Sequence, residues 1–406
     1  MKTVGLVVEY NPFHNGHLYH LTKSKEQTKA DVVIAVMSGS FLQRGEPALV
    51  SKWQRTNMAL AGGVDILVEL PYYYSVQKAQ TFAEGAIRIL NTLSVDTVCF
   101  GSESGDITSF YELHEFMTTH KEEWDNEVKK EMSKGLSYPK AASNAFTTLT
   151  NESKPLLSLA EPNNILGFHY VEALHKWSKT MRAETILRTK AQYHDEEIQD
   201  TQIASATSIR KALFEHESFD QIRTVLPQTS YEQLLTYGKE FHVFHDWEAY
   251  FPLLQYQVLS SSVAKLEQIY ECEEGLEYRL KETIKRASSF KEWMHLLKTK
   301  RYTWSRLQRL ATHVLTQTTK TEMSQLLKDG PLPYIRLLGM SQKGQAYLSS
   351  IKKDLDTPLI SRLAEAKGFA ATHDERISNV YKMALPPEIR AQSLYDEYKQ
   401  IPIRGH

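Results

Sequence analysis

The first hundred residues alternate short β-branched runs with stretches of helical period, and this alternation constrains the fold more than any other feature of the chain. Thr3 to Val8, Asp31 to Met37, Asp65 to Glu69 and Asp96 to Phe100 are each a few residues long and nearly continuously apolar, as strands covered on both faces are. The helical intervals between them act as crossovers, and right-handed crossovers build an α/β fold with a doubly wound, Rossmann-like parallel sheet. A later run, Glu184 to Leu187, is expected to join that sheet. The polar stretch from roughly Lys130 to Ser158 reads as a partly irregular insertion.

After about residue 215 the strand signals fade. Leu276, Leu280 and Ile284, then Leu307, Leu310, Ala311, Val314 and Leu315, recur at helical spacing. Residues 216–406 are therefore expected to form a mostly α-helical domain behind an α/β domain of residues 1–215, a division that suits a chain of 406 residues. No run approaches the roughly 20 apolar residues of a bilayer span, so no membrane partner is expected. Glu9 interrupts the first apolar run too early for an export signal. Cys99 and Cys272 lie far apart without metal-ligand spacing, which argues against disulfides or a zinc site and suits the cytoplasm.

The residues just past the first strand, Glu9-Tyr10-Asn11-Pro12-Phe13-His14-Asn15-Gly16-His17, carry the chemistry. Ligands of open α/β sheets bind beyond the carboxyl ends of strands, where a helix starting near Gly16 would aim its free amides and positive dipole end. His14 and His17 would donate hydrogen bonds to phosphate oxygens whose charge grows during attack at phosphorus. Two plainer readings compete: surface histidines at a loop-to-helix junction, or a metal pair, for which no third ligand lies nearby. Further on, Ser205-Ala206-Thr207-Ser208-Ile209-Arg210 opens a predicted helix, with hydroxyls suited to capping it.

The net charge of −1 hides a polar split. Between Arg279 and Arg309 ten Lys/Arg stand against two Glu, directly after an acidic run of Glu267, Glu271, Glu273, Glu274 and Glu277. Lys298, Lys300, Arg301, Trp304, Arg306 and Arg309 interleave cations with aromatics, a mixture suited to RNA phosphates and unpaired bases. A helix starting near Thr303 would place Arg306, Arg309 and His313 on a free face and Leu307, Leu310, Ala311 and Val314 on a packed one. A solvated charged face is the plainer alternative.

Asn-Pro-Phe-His-Asn-Gly-His after a strand resembles the His-x-Gly-His motif of the HIGH-type nucleotidyltransferase superfamily. It departs from many small-molecule adenylyl- and cytidylyltransferases, which carry an acidic residue where Asn11-Pro12-Phe13 stand. Ser205 to Arg210 is similar to the Ser-x-Thr-x-x-Arg segment with which such enzymes hold a triphosphate. Met37-Ser38-Gly39-Ser40-Phe41-Leu42-Gln43-Arg44-Gly45-Glu46-Pro47, Phe100-Gly101-Ser102-Glu103 and Glu161-Pro162-Asn163-Asn164-Ile165-Leu166-Gly167 extend the resemblance to the bacterial tRNA(Met) cytidine acetate ligases.

That resemblance implies catalytic roles for His14 and His17. It implies ATP contacts along Val7, Val8, Glu9, Tyr10, Asn11, Pro12, Phe13, Asn15 and Gly16, and at Gly101, Asn163 or Asn164, Arg188, Ser205, Thr207 and Arg210. The reaction implied activates acetate as acetyl-adenylate and acetylates the wobble cytidine of elongator tRNA(Met), with magnesium accompanying ATP, no protein metal site and no DNA partner. Two rival readings are a small-molecule adenylyltransferase and a non-catalytic tRNA-binding protein.

Overall fold

The computed structural model describes residues 1–136, 138–150, 157–188, 204–216 and 219–405. Its centre is an eight-stranded sheet: β1 (Thr3–Val8), β2 (Val32–Ser38), β3 (Ile66–Leu70), β4 (Thr97–Ser102), β5 (Arg182–Leu187), β6 (Ile335–Met340), β7 (Leu359–Ile360) and β8 (Ile403–Arg404). The order is β5-β4-β1-β2-β3-β6-β7, with β8 also on β6. From β5 to β3 all pairings are parallel. The chain winds outward from β1 to β3, then returns to β4 on the other side of β1. Crossovers on opposite faces leave a crevice at the carboxyl ends of β1 and β4, the switch point of a doubly wound sheet.

Why both faces are apolar is visible in β2, whose residues are all buried. Val32, Ile34 and Val36 point into one core with Ile66, Val68 and Val98, while Val33, Ala35 and Met37 point into a second with Val4, Leu6, Leu67 and Cys99. The two-residue period of a strand forces that division, and helices close each side. On the second side lie α1 (Asn15–Thr28) and α2 (Lys52–Ala61). A third core fills the helical half, built on Trp247, Phe251, Trp293, Leu307 and Leu310.

Two features differ from expectation. The described part of the polar insertion is ordered into helices Lys121–Ser133 and Tyr138–Thr150; residues 151–156 lie outside the described residues. The half after residue 215 is mainly helical but also returns strands to the sheet. β6 runs antiparallel to β3, with Ile66 opposite Met340 and Leu67 opposite Gly339. A side chain at Gly339 would press on Thr56 of α2 at 2.7 Å, so a glycine permits that approach. Phe41, from the loop after β2, packs in the third core against Tyr72, Tyr250 and Tyr381.

Arg55 of α2 ties these parts together. It is fully buried, and its guanidinium donates to the carbonyls of Glu9 at 2.7 Å, Ser38 at 2.9 Å and Val50 at 3.3 Å, and also to that of Gly39. Burial lowers its pKa to about 10, so it remains charged at neutral pH. Arg55→Met should destabilise the protein by at least about 3 kcal/mol in urea unfolding, because it strands several buried carbonyls at once. A loss below about 1 kcal/mol contradicts this role.

Candidate nucleotide site

His14 is the N-cap of α1, with extended backbone, and His17 is the third residue of its first turn. The Gly16 amide donates to His14 Nδ1 at 3.0 Å, and the His14 amide faces His17 Nδ1 at 3.4 Å, closing a reciprocal capping box with imidazoles in place of the usual Ser and Glu. The rings lie 3.8 Å apart. Tyr10 and Phe13 pack edge-on and tilted behind His17, at 5.0 and 6.0 Å. An amide is always a donor, so His14 Nδ1 is an acceptor and the neutral ring carries its proton on Nε2.

This geometry changes one expectation. The Gly16 amide is taken by His14 Nδ1, and those of His17 and Leu18 by the His14 carbonyl at 2.8 and 3.1 Å. The helix start therefore offers its dipole and an imidazole N–H more than a row of free amides. Burial, with Arg188 and Arg210 nearby, lowers the His14 pKa to about 3. Burial, then His14 and Arg188, holds His17 well below the ordinary value. Both rings are neutral at neutral pH.

The other expected residues converge on this end of the sheet from four directions. Val7 and Val8 are strand residues, Val8 buried in the core. Asn11 is buried and its Oδ1 accepts from the Leu49 amide at 2.7 Å, while Asn15 donates to the Thr224 carbonyl at 3.0 Å. Glu9 accepts from the Gln43 amide at 2.8 Å, and burial raises its pKa. Arg210, in the helix Ala206–His216, donates to the Asn11 carbonyl at 2.9 Å and to Glu46 at 3.1 Å, joining that helix to both motif loops. Ser205 Oγ accepts from the Ser208 amide at 3.0 Å, and Thr207 lies half-buried on the first turn. From the far side of the crevice, Arg188 extends past β5 over Gly101, where a Cβ would meet its side chain at 3.2 Å and His20 at 3.8 Å.

His20 is a member of this group that the motif reading overlooked. It sits one turn beyond His17 on α1, and burial with Arg188 lowers its pKa to about 4. The signal was its three-residue spacing from His17, which continues the face that His14 begins.

The Gly101 and Asn163 segments meet through Glu103. Its carboxylate accepts from the Asn164 amide at 2.9 Å and the Asn163 side chain at 2.5 Å, capping the helix Pro162–Trp177. Asn164 is buried, its Oδ1 taking the amides of Glu103 and Ser104 at 3.1 Å each and its Nδ2 donating to Ser158 at 3.2 Å. Asn164 thus holds the loop, and Asn163 is the half-buried asparagine at the crevice. Among the described residues no group of three or more His, Cys, Asp or Glu is placed to hold a metal ion.

The model of the HIGH Nucleotidyl Transferase family matches residues 1–397. The tRNA(Met) cytidine acetate ligase of Halalkalibacterium halodurans is 51% identical over 406 residues, covering 100% of this chain and 97% of that protein. That of Bacillus subtilis is 48% identical with the same coverage. Crystal structures of Thermotoga maritima TmcAL superpose with TM-scores of 0.92 in the apo form and 0.89 bound with alpha-thio ATP, each at 32% identity and covering 100% of this chain and 99% of that one. The chain belongs to the HIGH nucleotidyltransferases. Within them it groups with the tRNA(Met) cytidine acetate ligases along its whole length.

For a HIGH nucleotidyltransferase with tRNA-acting relatives, the basic segment is the next concern, and here the expected free face is corrected. The helix Trp304–Thr316 starts where expected, capped by Thr303, but Gln308 through Thr316 are all buried. Arg309 is 8% exposed and pairs with Glu271 at 3.0 Å; His313 is fully buried and bonds Tyr72 at 2.9 Å. Arg306 pairs with Glu273 at 2.9 Å and Arg301 with Glu274 at 2.5 Å. The helix lays Arg306 and Arg309, and the residues before it lay Arg301, against the loop that holds Glu271 to Glu274. Lys298 and Lys300 remain exposed, as does the Trp304 ring at 36%.

Nuclear magnetic resonance of the His14 imidazole without nucleotide should show no protonation above about pH 5, because its pKa lies below the ordinary 6.5 and the neutral form persists over that range. A midpoint near 6.5 would refute the neutral-donor assignment.

Proposed function

We propose that the chain is a cytoplasmic tRNA(Met) cytidine acetate ligase. Acetate attacks the α-phosphorus of ATP and releases pyrophosphate; the acetyl-adenylate then acylates the exocyclic amine of the wobble cytidine of elongator tRNA(Met), leaving N4-acetylcytidine and AMP. The observation that carries the reading is the neutral imidazole pair at the β1/β4 switch point, with the His14 proton on Nε2 and Arg188 opposite. Full-length family membership supplies the context.

The chemistry needs that order, since a free carboxylate is a poor electrophile and the cytosine amine a weak nucleophile. His14 and His17 stabilise charge growing on the phosphates, and their neutrality in the free state means that they donate without adding fixed charge. Arg188 supplies the positive charge, and Ser205, Thr207 and Arg210 take the outer phosphates once Arg210 exchanges Glu46 for them. Asn163 and Gly101 border the nucleoside side. Catalysis is by positioning and electrostatics, with no covalent enzyme intermediate. Magnesium bound to ATP would offset phosphate charge, and with no acidic cluster among the described residues to hold it, it would rely on the triphosphate for most of its ligands.

The tRNA lies along the helical half, where Lys298, Lys300 and Trp304 offer phosphate contacts and a stacking face. Arg301 and Arg306 join when phosphate displaces Glu274 and Glu273, since exposed ion pairs of this kind are worth at most about 1 kcal/mol each. Arg309 supports the helix from within and is not assigned to RNA.

Incubation with ATP, labelled acetate and bulk tRNA should place label in N4-acetylcytidine. His14→Ala and His17→Ala should each lower the rate by at least about 100-fold with the fold intact by circular dichroism. Label in a small adenylylated product instead supports a small-molecule adenylyltransferase, and untouched ATP supports a non-catalytic RNA binder. Full activity in both variants removes the histidines from the mechanism.

A further inference from the structure

At the carboxyl ends of β2 and β3, one strand over from the paired imidazoles, lies a small cavity bordered by Gly39, Ser40, Lys52, Glu69, Asp374 and Ser378. Its free space is roughly that of one water molecule. It is not sealed: Glu69 keeps 14% of its side chain exposed, and Asp374 is half-buried.

The lining is rich in acceptors. Lys52 is the cation at the wall, and its ammonium is already engaged by Glu69 at 2.7 Å and Glu397 at 2.6 Å. Glu397 also accepts from Ser378 at 3.3 Å, and Arg336 is turned to the carbonyls of Glu397 and Gln400. Asp374 accepts from the Tyr334 hydroxyl at 2.5 Å. Gly39 keeps the space open, because any side chain there would collide with the Glu69 carboxylate. A water-sized space with Glu69, Asp374 and the Ser40 and Ser378 hydroxyls on its wall, completed by Phe41, Tyr72 and Ile377, suits a small group that donates hydrogen bonds. An amino group fits; a whole pyrimidine ring or a carboxylate does not.

Its place in the sheet links it to the nucleotide site. Val8, the last residue of β1, is paired with Met37 of β2, so the loops that carry His14 and Gly39 leave adjacent strands at the same end of the sheet. Arg55 grips the carbonyls of Glu9, Ser38 and Gly39 together. The cavity and the His14 loop are therefore held to one another through Arg55 at the carboxyl end of the sheet.

Building on the acetyl-transfer reading, we propose that this cavity receives the exocyclic amine of the acceptor base and that Asp374 takes its proton. The amine lone pair forms the N–C bond at the acetyl carbonyl carbon, the bond from that carbon to the AMP phosphate oxygen breaks, AMP leaves as its anion, and the amine proton passes to the Asp374 carboxylate. Glu69, Lys52, Glu397, Tyr334 and Tyr73 face Asp374, and burial followed by the Glu69 charge raises its pKa to about 7, close to the neutral pH at which a general base works best.

The test separates the two half-reactions in the full-length protein: acetate-dependent ATP–pyrophosphate exchange, and single-turnover transfer of labelled acetyl to tRNA. Asp374→Asn should leave exchange within about twofold and slow transfer by at least about 100-fold, with partial recovery in Asp374→Glu. Ser378→Thr, which keeps the hydroxyl and adds a methyl to the cavity, should slow transfer about tenfold with exchange unchanged. Transfer unchanged in both variants, or exchange and transfer falling together with the melting temperature, overturns the assignment of the cavity. A wild-type chain without exchange sinks the acetyl-transfer reading itself.

Discussion

The site depends on a buried cation that holds its loops by their backbone. Arg55 replaces the hydrogen bonds that the ends of β1 and β2 lose where their ladders stop, and it does so at the point where each strand turns into a motif loop. Buried carbonyls left without partners cost free energy, so one guanidinium spanning several of them sets both the height and the direction of the two loops. The His14 loop and the Gly39 loop are thereby registered to each other before any ligand arrives. The loop after β2 then carries Phe41 into the helical core, which fixes the second half of the chain against the first.

The imidazole pair shows how local helix chemistry and catalysis share the same atoms. A helix start needs acceptors for its first amides. Here His14 supplies one through Nδ1, and that choice leaves Nε2–H pointing away from the backbone. Capping thus fixes the tautomer, and burial fixes the charge state. Position and tautomer follow from one hydrogen bond, which is why a two-residue gap between histidines is informative at this place in a sheet and uninformative elsewhere.

The helical half shows the opposite relation between sequence and role. Ten cations in a short stretch suggest an open basic face, yet three of the arginines lie against the acidic run that precedes them. Glu271 and Arg309 form a largely buried pair that anchors the helix, whereas the outer pairs are more exposed and exchangeable. Charge density along the chain measured how much charge there was, and not which partner it would meet.

Much of the sheet was legible because parallel strands buried on both faces are written as continuous apolar runs: Thr3 to Val8, Asp31 to Met37 and Asp96 to Phe100 needed no context, and strands stand there within one or two residues at each end. The histidine motif was legible for the same reason, being tied to a strand end and a helix start. What the sequence could not carry was long-range pairing. The antiparallel addition of Ile335–Met340 to β3, the burial of Arg309 and His313, the Glu103 clasp on Asn163 and Asn164, and the meeting of Lys52 with Glu397 join residues that are dozens to hundreds of positions apart. Periodicity reports which face of an element is apolar; which other element covers it, and so which charged groups are neutralised, is decided only when the chain closes on itself.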